Sequence, residues 1–298
     1  MLNKIVVGVD VGGSHITAAL VDLSSRVVLQ DTWTRKSVNS HGEVAEIITS
    51  WGSAIKEAAR YNDVKVGKVG IGMPGPVDYQ TGTCFIKGQD KYEALYGLNL
   101  KDLLANALDL ASADIRLMND AACFLQGEAF GGAGKDFSRV VGLTLGTGLG
   151  SAVYKDDLAV DADLWNSPFK DSIAEDYLST RWFVKRYFEL TGRRVEDVKR
   201  LSQIAEADSV AGSIFDEFGE NLGVFLNGFI GQEQPEAVVL GGNIAQSFGL
   251  FKDSLQYTLA AQYKNVEILK AVLGEEAALM GASSLWYTSP SVNQGLPV

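Results

Sequence analysis

The chain has 298 residues, of which 46% are hydrophobic, and it carries a formal net charge of −11 at pH 7. This length predicts about two domains of roughly 150 residues each, and the apolar content supports a sizeable core rather than disorder. The acidic balance argues against a surface for nucleic acid or for an anionic membrane, although a few local donors can still hold an anionic ligand.

The first half of the chain alternates strand and helix patterns. Three strands are predicted first, and an amphipathic helix follows them. A buried strand then ends at a Pro-Gly-Pro bend, and a helix, a short strand and another helix complete this half. The predicted ranges are, in chain order, 4–9, 15–22, 27–34, 41–60, 68–73, 98–110, 115–118 and 121–129.

The second half restarts the pattern, which predicts a duplicated α/β unit. Its predicted strands are 139–145, 150–154, 237–240 and 266–270, and its predicted helices are 174–190, 196–207, 209–230, 244–262 and 275–286. We expect a domain boundary near Asn119, with an N-terminal domain over 1–118 and a C-terminal domain over 119–274. The closing segment 275–298 is expected to pack back onto the first domain.

The cysteine content and the N-terminus bear on where the protein works. Two cysteines, Cys84 and Cys123, are too few for a disulfide framework or a cysteine-rich zinc site, and we interpret both as small core residues in a reducing compartment. The chain enters a strand at once, Asp10 interrupts any apolar signal segment, and no run of 18 apolar residues occurs. We therefore expect a cytoplasmic protein without a membrane span.

A glycine-marked strand turn occurs twice, at 7–14 (VGVDVGGS) and at 141–148 (VGLTLGTG). Each apolar strand breaks at glycines and resumes as a second strand, so bare backbone N–H groups can approach an anion closely. Neither turn is a Walker loop or a dinucleotide fingerprint. Two such turns predict two related domains that face one polyphosphate through Asp10, Gly12, Gly13, Ser14, Gly146, Thr147 and Gly148.

Two acidic residues in this pattern have a chemical and a structural interpretation each. Asp10, just before the first turn, can orient the waters of a phosphate-bound Mg²⁺ ion, or it can bond its own turn. Asp120 can accept a proton from a substrate hydroxyl while Asn119 holds a second hydroxyl, or Asp120 can cap the following helix.

Two further bends are candidate ligand contacts. The segment 72–78, which contains Gly75 and Pro76, is either a wall for a sugar-sized ligand or a plain Pro-Gly turn. Gly241 and Gly242, between a strand and a helix, either let a flat ring or a phosphate approach the helix N-terminus or form a tight turn only.

Five motifs in order resemble the ROK family of repressors, open reading frames and sugar kinases, within the actin-like ATPase superfamily. They are Asp10-x-Gly12-Gly13-Ser14, Gly72-x-Pro74-Gly75-Pro76-Val77-Asp78, Asn119-Asp120-Ala121, Gly146-Thr147-Gly148-x-Gly150 and Gly241-Gly242. The resemblance implies an α/β fold of two RNase-H-like domains flanking a cleft that takes ATP with Mg²⁺ and a hexose. By position it makes Asp120 the base and Asn119 a holder of a sugar hydroxyl, and it sets Asp10, both glycine turns and the Gly241-Gly242 pair around the nucleotide.

The chain departs from the family where the resemblance would lead one to expect a Glu-x-Gly-His motif and a cysteine-rich zinc loop. Asp163 and Asn166 stand there, and no cysteine or histidine follows before Glu175, so no zinc site is expected. All three are candidate sugar contacts, and the alternative for Glu175 is an ordinary residue in a first helical turn. The sugar loop expected near 88–96 is altered as well, with Gln89, Asp90 and Lys91 in it.

The leading hypothesis is an ATP-dependent kinase for a hexose or N-acetylhexosamine, with a small-molecule sugar as its partner and no nucleic acid. Asp10 lies too near the start for a preceding helix-turn-helix domain, which argues against a repressor. The alternatives are a non-catalytic sugar-sensing protein of the same fold and an actin-like ATPase with another substrate. The resemblance also implies a homodimer, and aromatic residues in the helices between 182 and 229 are either its face or core.

Overall fold

The structure is a computed structural model that describes residues 5–60 and 67–288. Residue 4 of the first predicted strand and residues 289–298 of the closing segment lie outside that range. The strands are β1 (Ile5–Val11), β2 (His15–Asp22), β3 (Val27–Val28), β4 (Thr34–Ser37), β5 (Val69–Met73), β6 (Val77–Asp78), β7 (Thr83–Cys84), β8 (Ile115–Asn119), β9 (Val140–Leu145), β10 (Leu149–Lys155), β11 (Leu158–Asp161), β12 (Pro168–Phe169), β13 (Ser172–Ile173), β14 (Ala237–Gly241) and β15 (Glu267–Lys270). The helices are α1 (Val44–Ala58), α2 (Leu100–Leu108), α3 (Asp120–Gly131), α4 (Ala174–Tyr177), α5 (Thr180–Thr191), α6 (Val198–Ile204), α7 (Ser209–Glu233), α8 (Phe248–Thr258) and α9 (Glu276–Ser284).

The two halves of the chain build two sheets with the same topology. The first runs β3-β2-β1-β5-β8 with β4 also paired to β2, and the second runs β11-β10-β9-β14-β15. In each sheet the first hairpin is antiparallel and the next two strands join it in parallel. The predicted duplicated α/β unit is therefore confirmed.

Two helices, α3 and α9, lie between the sheets and pack against each other. Helix α9 lies on β1 and β5, and α3 lies on β9 and β10. Glycines make the approach close: a Cβ at Gly8 would lie 2.4 Å from the Leu279 carbonyl oxygen, and one at Gly142 would lie 2.8 Å from the Leu125 side chain. Since these contacts join distant parts of the sequence, they set where the N-terminus of α3 points.

The outer face of each sheet carries its own helical layer. Helices α1 and α2 cover the first sheet, with Trp51 and Tyr92 fully buried among aliphatic side chains. Helices α5, α7 and α8 cover the second sheet with an aromatic core, in which Phe183, Phe215 and Phe218 are in ring contact. These rings belong to the core, as do Trp182, Phe225 and Phe229, so the core interpretation is correct for these six aromatic residues. Phe188 of α5 is exposed instead. Both cysteines are buried and free.

The predicted strand 27–34 is wrong in its second half. A short 3₁₀ turn at Gln30–Thr32 divides it into β3 and β4, which both pair with β2. The Thr32 hydroxyl accepts a hydrogen bond from the Leu20 N–H at 2.8 Å and donates one to the Leu29 carbonyl at 2.6 Å. This side chain takes the place of backbone pairing, which a strand pattern alone does not reveal.

The predicted helix 174–190 is also divided. Ser179, in extended conformation, separates α4 from α5, and the Thr180 N–H behind it donates to the Gly146 carbonyl at 2.8 Å. The predicted helix 244–262 begins as a 3₁₀ turn and ends at Thr258. The pairs β6–β7 and β12–β13 and the strand β11 were not predicted, because each is short and lacks a clear apolar alternation.

Candidate active site

The candidate residues of the first half meet because parallel strands end at the same edge of a sheet. Asp10 in β1 lies beside Gly72 in β5, and Met73 lies beside Asn119 in β8. In the second sheet, Thr144 of β9 lies beside Gly241 of β14, which brings the second glycine turn next to Gly242. The strand order thus collects motifs that are far apart in the sequence.

A cleft of about 1140 Å³ lies between these two edges. Ten of the predicted site residues line it: Gly75, Pro76, Asn119, Asp120, Gly146, Thr147, Gly148, Asp163, Glu175 and Gly242. Six others are not in its wall, namely Asp10, Gly12, Gly13, Ser14, Asn166 and Gly241.

Asp120 is the first residue of α3, and its carboxylate is exposed at the cleft. The helix is capped by Asn119 instead, whose side-chain oxygen accepts the Ala122 N–H at 3.0 Å. Within residues 5–60 and 67–288, the Asp120 carboxylate accepts only the N–H of its neighbour Ala121, at 2.9 Å. The capping interpretation of Asp120 is therefore wrong, and its outer oxygen is available to a ligand.

Asp10 lies behind this edge, half-buried, in a separate cavity of about 150 Å³ that Arg35, Phe124 and Glu275 also line. Burial, reinforced by the negative charge of Asp120, raises the pKa of Asp10 from 3.8 to about 6, while Arg35 opposes the rise. Arg35 is itself held by Glu275 at 3.1 Å. The Asp10 carboxyl is therefore close enough to Asp120 for the two charges to interact.

The first glycine turn is held in shape by a buried tyrosine. The Gly12 N–H donates to the His15 carbonyl at 2.8 Å, and the Tyr92 hydroxyl donates to the Gly12 carbonyl at 2.5 Å. Burial raises the pKa of Tyr92 to about 12, so it stays a donor. Gly13 and Ser14 are exposed, and a Cβ at Gly13 would lie 3.9 Å from the Lys91 side chain, which lines the cleft.

The second glycine turn is tied to Glu175, in the first turn of α4. One carboxylate oxygen of Glu175 accepts the Leu149 N–H at 3.1 Å, and the other pairs with Arg181 at 2.5 Å. A Cβ at Gly148 would lie 2.6 Å from the Glu175 carboxylate, whereas one at Gly146 would meet nothing within 4 Å. Thr147 is exposed at the tip of the turn. The space beside the Gly146 Cα is open, although its N–H donates to the Gly148 carbonyl at 3.1 Å and its carbonyl accepts the Thr180 N–H at 2.8 Å.

Gly241 and Gly242, at the end of β14, have different structural roles. A Cβ at Gly241 would lie 2.3 Å from the Phe124 ring, so this glycine admits α3 onto the sheet. Gly242 lines the cleft with a φ of +84°, a conformation that favours glycine. A nucleotide contact is therefore geometrically open to Gly242.

The segment after β11 carries acidic and aromatic groups into the cleft. Asp161 accepts the Asp163 N–H at 2.9 Å, and Asp163 accepts the indole N–H of Trp165 at 2.8 Å. Burial raises the pKa of Asp161, and the charges of Asp163 and Asp120 add to the effect. Asn166 is exposed outside the cleft wall.

Several lining residues were not among the predicted site residues. They are Tyr79, Gln89, Lys91, Thr144, Asp161, Trp165 and Asn243. Asp161 carried a usable signal, since it ends a short apolar run as Asn119 does. Gln89, Lys91 and Trp165 lie on loops, where periodicity gives no position. The family resemblance pointed to the loop of Gln89 and Lys91 as an altered sugar loop, and the structure shows both residues at the cleft.

The twin sheets and the cleft between them define the class of two-domain proteins with the actin-like ATPase fold. A solved structure of this class, the ROK family glucokinase of Streptomyces griseus in complex with glucose and AMPPNP, superimposes with a TM-score of 0.75 at 24% identity, over 94% of this chain and 98% of that one. The sequence model of the ROK family matches residues 6–160 and 170–289. The chain belongs to the ROK family.

The similar curated proteins are sugar kinases. An N-acetyl-D-glucosamine kinase from Mannheimia succiniciproducens is 25% identical, over 94% of this chain and 99% of that protein. A glucokinase from Thermotoga maritima is 26% identical, over 94% of this chain and 96% of its own length. The family match is interrupted between 160 and 170, and this interval contains Asp163 and Trp165.

The donor set suits the magnesium ion that the family resemblance implies. Mg²⁺ takes oxygen ligands, keeps much of its water and is bound through one or two carboxylates together with phosphate oxygens. The carboxylates of Asp10 and Asp120, whose charges interact, are donors of that kind. Within 5–60 and 67–288, no group of three or more His, Cys, Asp or Glu side chains could hold a metal by itself. In the same ranges, no helix has the length and apolar character needed to cross a bilayer.

Proposed function

We propose that this protein is an ATP-dependent sugar kinase that transfers the γ-phosphoryl group to a hydroxyl of a hexose or N-acetylhexosamine, with Asp120 as the base. The observation that carries the proposal is the exposed carboxylate of Asp120, which does not cap its helix and lines the same cleft as the second glycine turn. Membership of the ROK family and the kinase relatives support the reaction class.

Asp120 accepts the proton of the attacking hydroxyl, and Asn119 and the Tyr79 hydroxyl lie beside it. The side-chain oxygen of Asn119 accepts the Ala122 N–H in the helix cap. Its amide N–H₂ group is therefore the group that donates to a neighbouring sugar hydroxyl. Gly75 and Pro76 form the wall on the first-domain side, and Asp163 and Glu175 form the opposite wall.

The phosphates of ATP lie against the two turns, with Gly12, Gly13 and Ser14 on one side and Gly146, Thr147 and Gly148 on the other. The N–H groups of Gly12 and Gly146 are bonded within their own turns, so the donors to phosphate come from the other turn residues. Asp10 would hold Mg²⁺ through water, and the bound ion would supply positive charge to the phosphates. Gly242 contacts the nucleotide, and Gly241 acts behind it through packing on Phe124. Closure of the cleft excludes water from the transfer.

Turnover with the base removed tests the proposal. Asp120→Asn keeps the shape of the side chain but cannot take the proton, so we expect kcat to fall by at least about 100-fold. ADP release is measured with Mg-ATP across hexoses and N-acetylhexosamines, with Asp216→Asn, an exposed aspartate of α7, as the matched control. Wild-type turnover in Asp120→Asn would contradict the role of this residue.

A sugar-sensing protein without turnover is the second candidate, and the interrupted family match over 161–169 favours it. Sugar binding by calorimetry without sugar-dependent ADP release would support this candidate. A homodimer and the absence of nucleic-acid binding stay predictions, which sedimentation velocity and a titration with duplex DNA test directly.

A further inference from the structure

Trp165 is a large aromatic side chain that the fold leaves exposed inside the cleft. It is 44% exposed and lines the same wall as Asp163 and Glu175. The chain's other tryptophans are packed in the cores: Trp51 and Trp182 are buried, and Trp33 and Trp286 pack against a smaller apolar cluster. An indole kept at a ligand-sized cleft, rather than in a core, indicates a contact that forms with a ligand.

The indole is held in one orientation before any ligand arrives. Its N–H donates to the Asp163 carboxylate at 2.8 Å, and the Trp165 carbonyl accepts the Glu175 N–H at 2.9 Å. Asp163 is fixed in turn, since its own N–H donates to Asp161 and its φ is +50°. With the polar edge of the indole satisfied, its apolar faces are what remains for contact, and a fixed ring loses little entropy on binding.

The surroundings of Trp165 indicate which kind of ligand faces it. Asp120, Asp161 and Glu175 line the same cleft. The carboxylates of Asp120 and Asp161 offer oxygens to hydroxyl donors. A pyranose ring matches both features, since it carries hydroxyl donors around its rim and C–H groups across its faces.

We propose that Trp165 is a stacking platform for a pyranose ring, and that the cleft therefore selects cyclic sugars over the corresponding open-chain alditols. The identity of the ligand as a sugar rests on the proposed function. The position lies in the stretch that the family model does not match.

Tryptophan fluorescence tests the platform without any turnover. Glucose and N-acetylglucosamine are titrated into the full chain without ATP, beside glucitol as the open-chain control. We expect the pyranoses to change the emission and glucitol to leave it unchanged. In Trp165→Phe the emission change is lost, while in Trp33→Phe, which alters a packed tryptophan, it persists. An unchanged response in Trp165→Phe, or no response of the wild type to any hexose, overturns the proposal.

The affinity for pyranoses distinguishes a Trp165 that stacks on the sugar from one that only lies near it. Loss of the ring in Trp165→Ala is expected to weaken pyranose binding by about 10-fold in calorimetry, whereas Trp165→Phe, which keeps an aromatic face, stays within about threefold. The side chain is exposed, so the thermal midpoint of Trp165→Ala is expected to match the wild type. Equal affinity of wild type and Trp165→Ala would overturn the platform.

The failure of this inference and that of the proposed function are distinguishable. Asp120→Asn is expected to keep the fluorescence response and lose turnover. A fluorescence response to pyranoses without phosphorylation of any of them supports the stacking platform and contradicts the proposed kinase function. Turnover of Trp165→Ala with an unchanged KM for sugar contradicts the platform and supports the kinase. An emission change produced by AMPPNP alone assigns the ring to the nucleobase and overturns the sugar platform.

Discussion

Asp10 and Asp120 are two carboxylates with contrasting surroundings. Asp120 is exposed on the first turn of α3, whereas Asp10 is half-buried and its pKa is raised to about 6. The free protein therefore holds Asp10 in an unfavourable ionised state near neutral pH, and a divalent cation beside it relieves that state. The burial that raises the pKa of Asp10 therefore also lowers the stability of the folded protein at neutral pH.

Asp10→Asn is expected to stabilise the ligand-free protein at pH 8 by about 2–3 kcal/mol. The carboxyl has a pKa of about 6 when folded and 3.8 as its reference value, so the folded state binds more protons between these values and ionisation destabilises it as pH rises. The gain is complete above about pH 7 and shrinks between pH 6 and pH 4. Urea unfolding at pH 8, 6 and 4 measures it.

The control for this prediction is Asp216→Asn, which removes an exposed carboxylate from α7. Its effect on the free energy of unfolding is expected to be small and independent of pH over the same range. A gain from Asp10→Asn that is equally large at pH 4 and pH 8 would show that ionisation of Asp10 is not its cause.

At the scale of elements, the pair α3–α9 decides where the candidate base lies. A Cβ at Gly127 of α3 would lie 2.0 Å from the Ala277 carbonyl oxygen, and one at Gly281 of α9 would lie 1.9 Å from the Cys123 carbonyl oxygen. The fully buried Glu128 adds polar ties, accepting N–H groups of Ala133, Val272 and Leu273 at 2.8 to 3.0 Å. Helix α3 cannot shift without breaking these contacts.

Gly127→Ala is expected to destabilise the protein by about 2 kcal/mol or more, because the new methyl group overlaps a backbone carbonyl that cannot move freely. Gly131→Ala in the same helix is the matched control, since its Cβ would find its nearest neighbours at 3.7 Å. That change is expected to be neutral or stabilising, because alanine favours helix over glycine by up to about 1 kcal/mol. Equal midpoints of thermal unfolding for the two variants would contradict the close packing.

At the scale of the whole molecule, the cleft joins two sheets that each supply half of the site. The first provides Asp10, the bend at Gly75 and the end of β8, and the second provides the turn at Gly146 and the acidic loop after β11. A ligand that contacts both halves binds the folded protein only, so its binding free energy adds to stability.

Saturation with a sugar substrate is expected to raise the thermal midpoint by roughly 4 °C at a concentration near 100 times its Kd, for a chain of this length. Asp120→Asn is expected to keep most of this shift, because the asparagine still fills the cleft although it cannot accept the proton. Differential scanning fluorimetry with glucose, N-acetylglucosamine and glucitol measures it. No shift with a sugar that the wild type phosphorylates would contradict binding across the cleft.

The sequence by itself determined the duplicated unit and most of the strand-end residues. Asn119, Asp120 and the second glycine turn each end an apolar strand, and local pattern is enough to place such residues at a sheet edge. The domain boundary at 118/119 stays a prediction, although the packing of α9 on β1 and β5 suits it.

Only the tertiary structure decided which of these residues line the cleft and which lie behind its wall. Gly241 owes its lack of a side chain to Phe124, Asp10 lies in its own cavity, and Asn119 rather than Asp120 caps the helix. Trp165 and Lys91 reach the cleft from loops. These outcomes depend on contacts between segments far apart in the chain, and a pattern that repeats every two or four residues carries no information about such contacts.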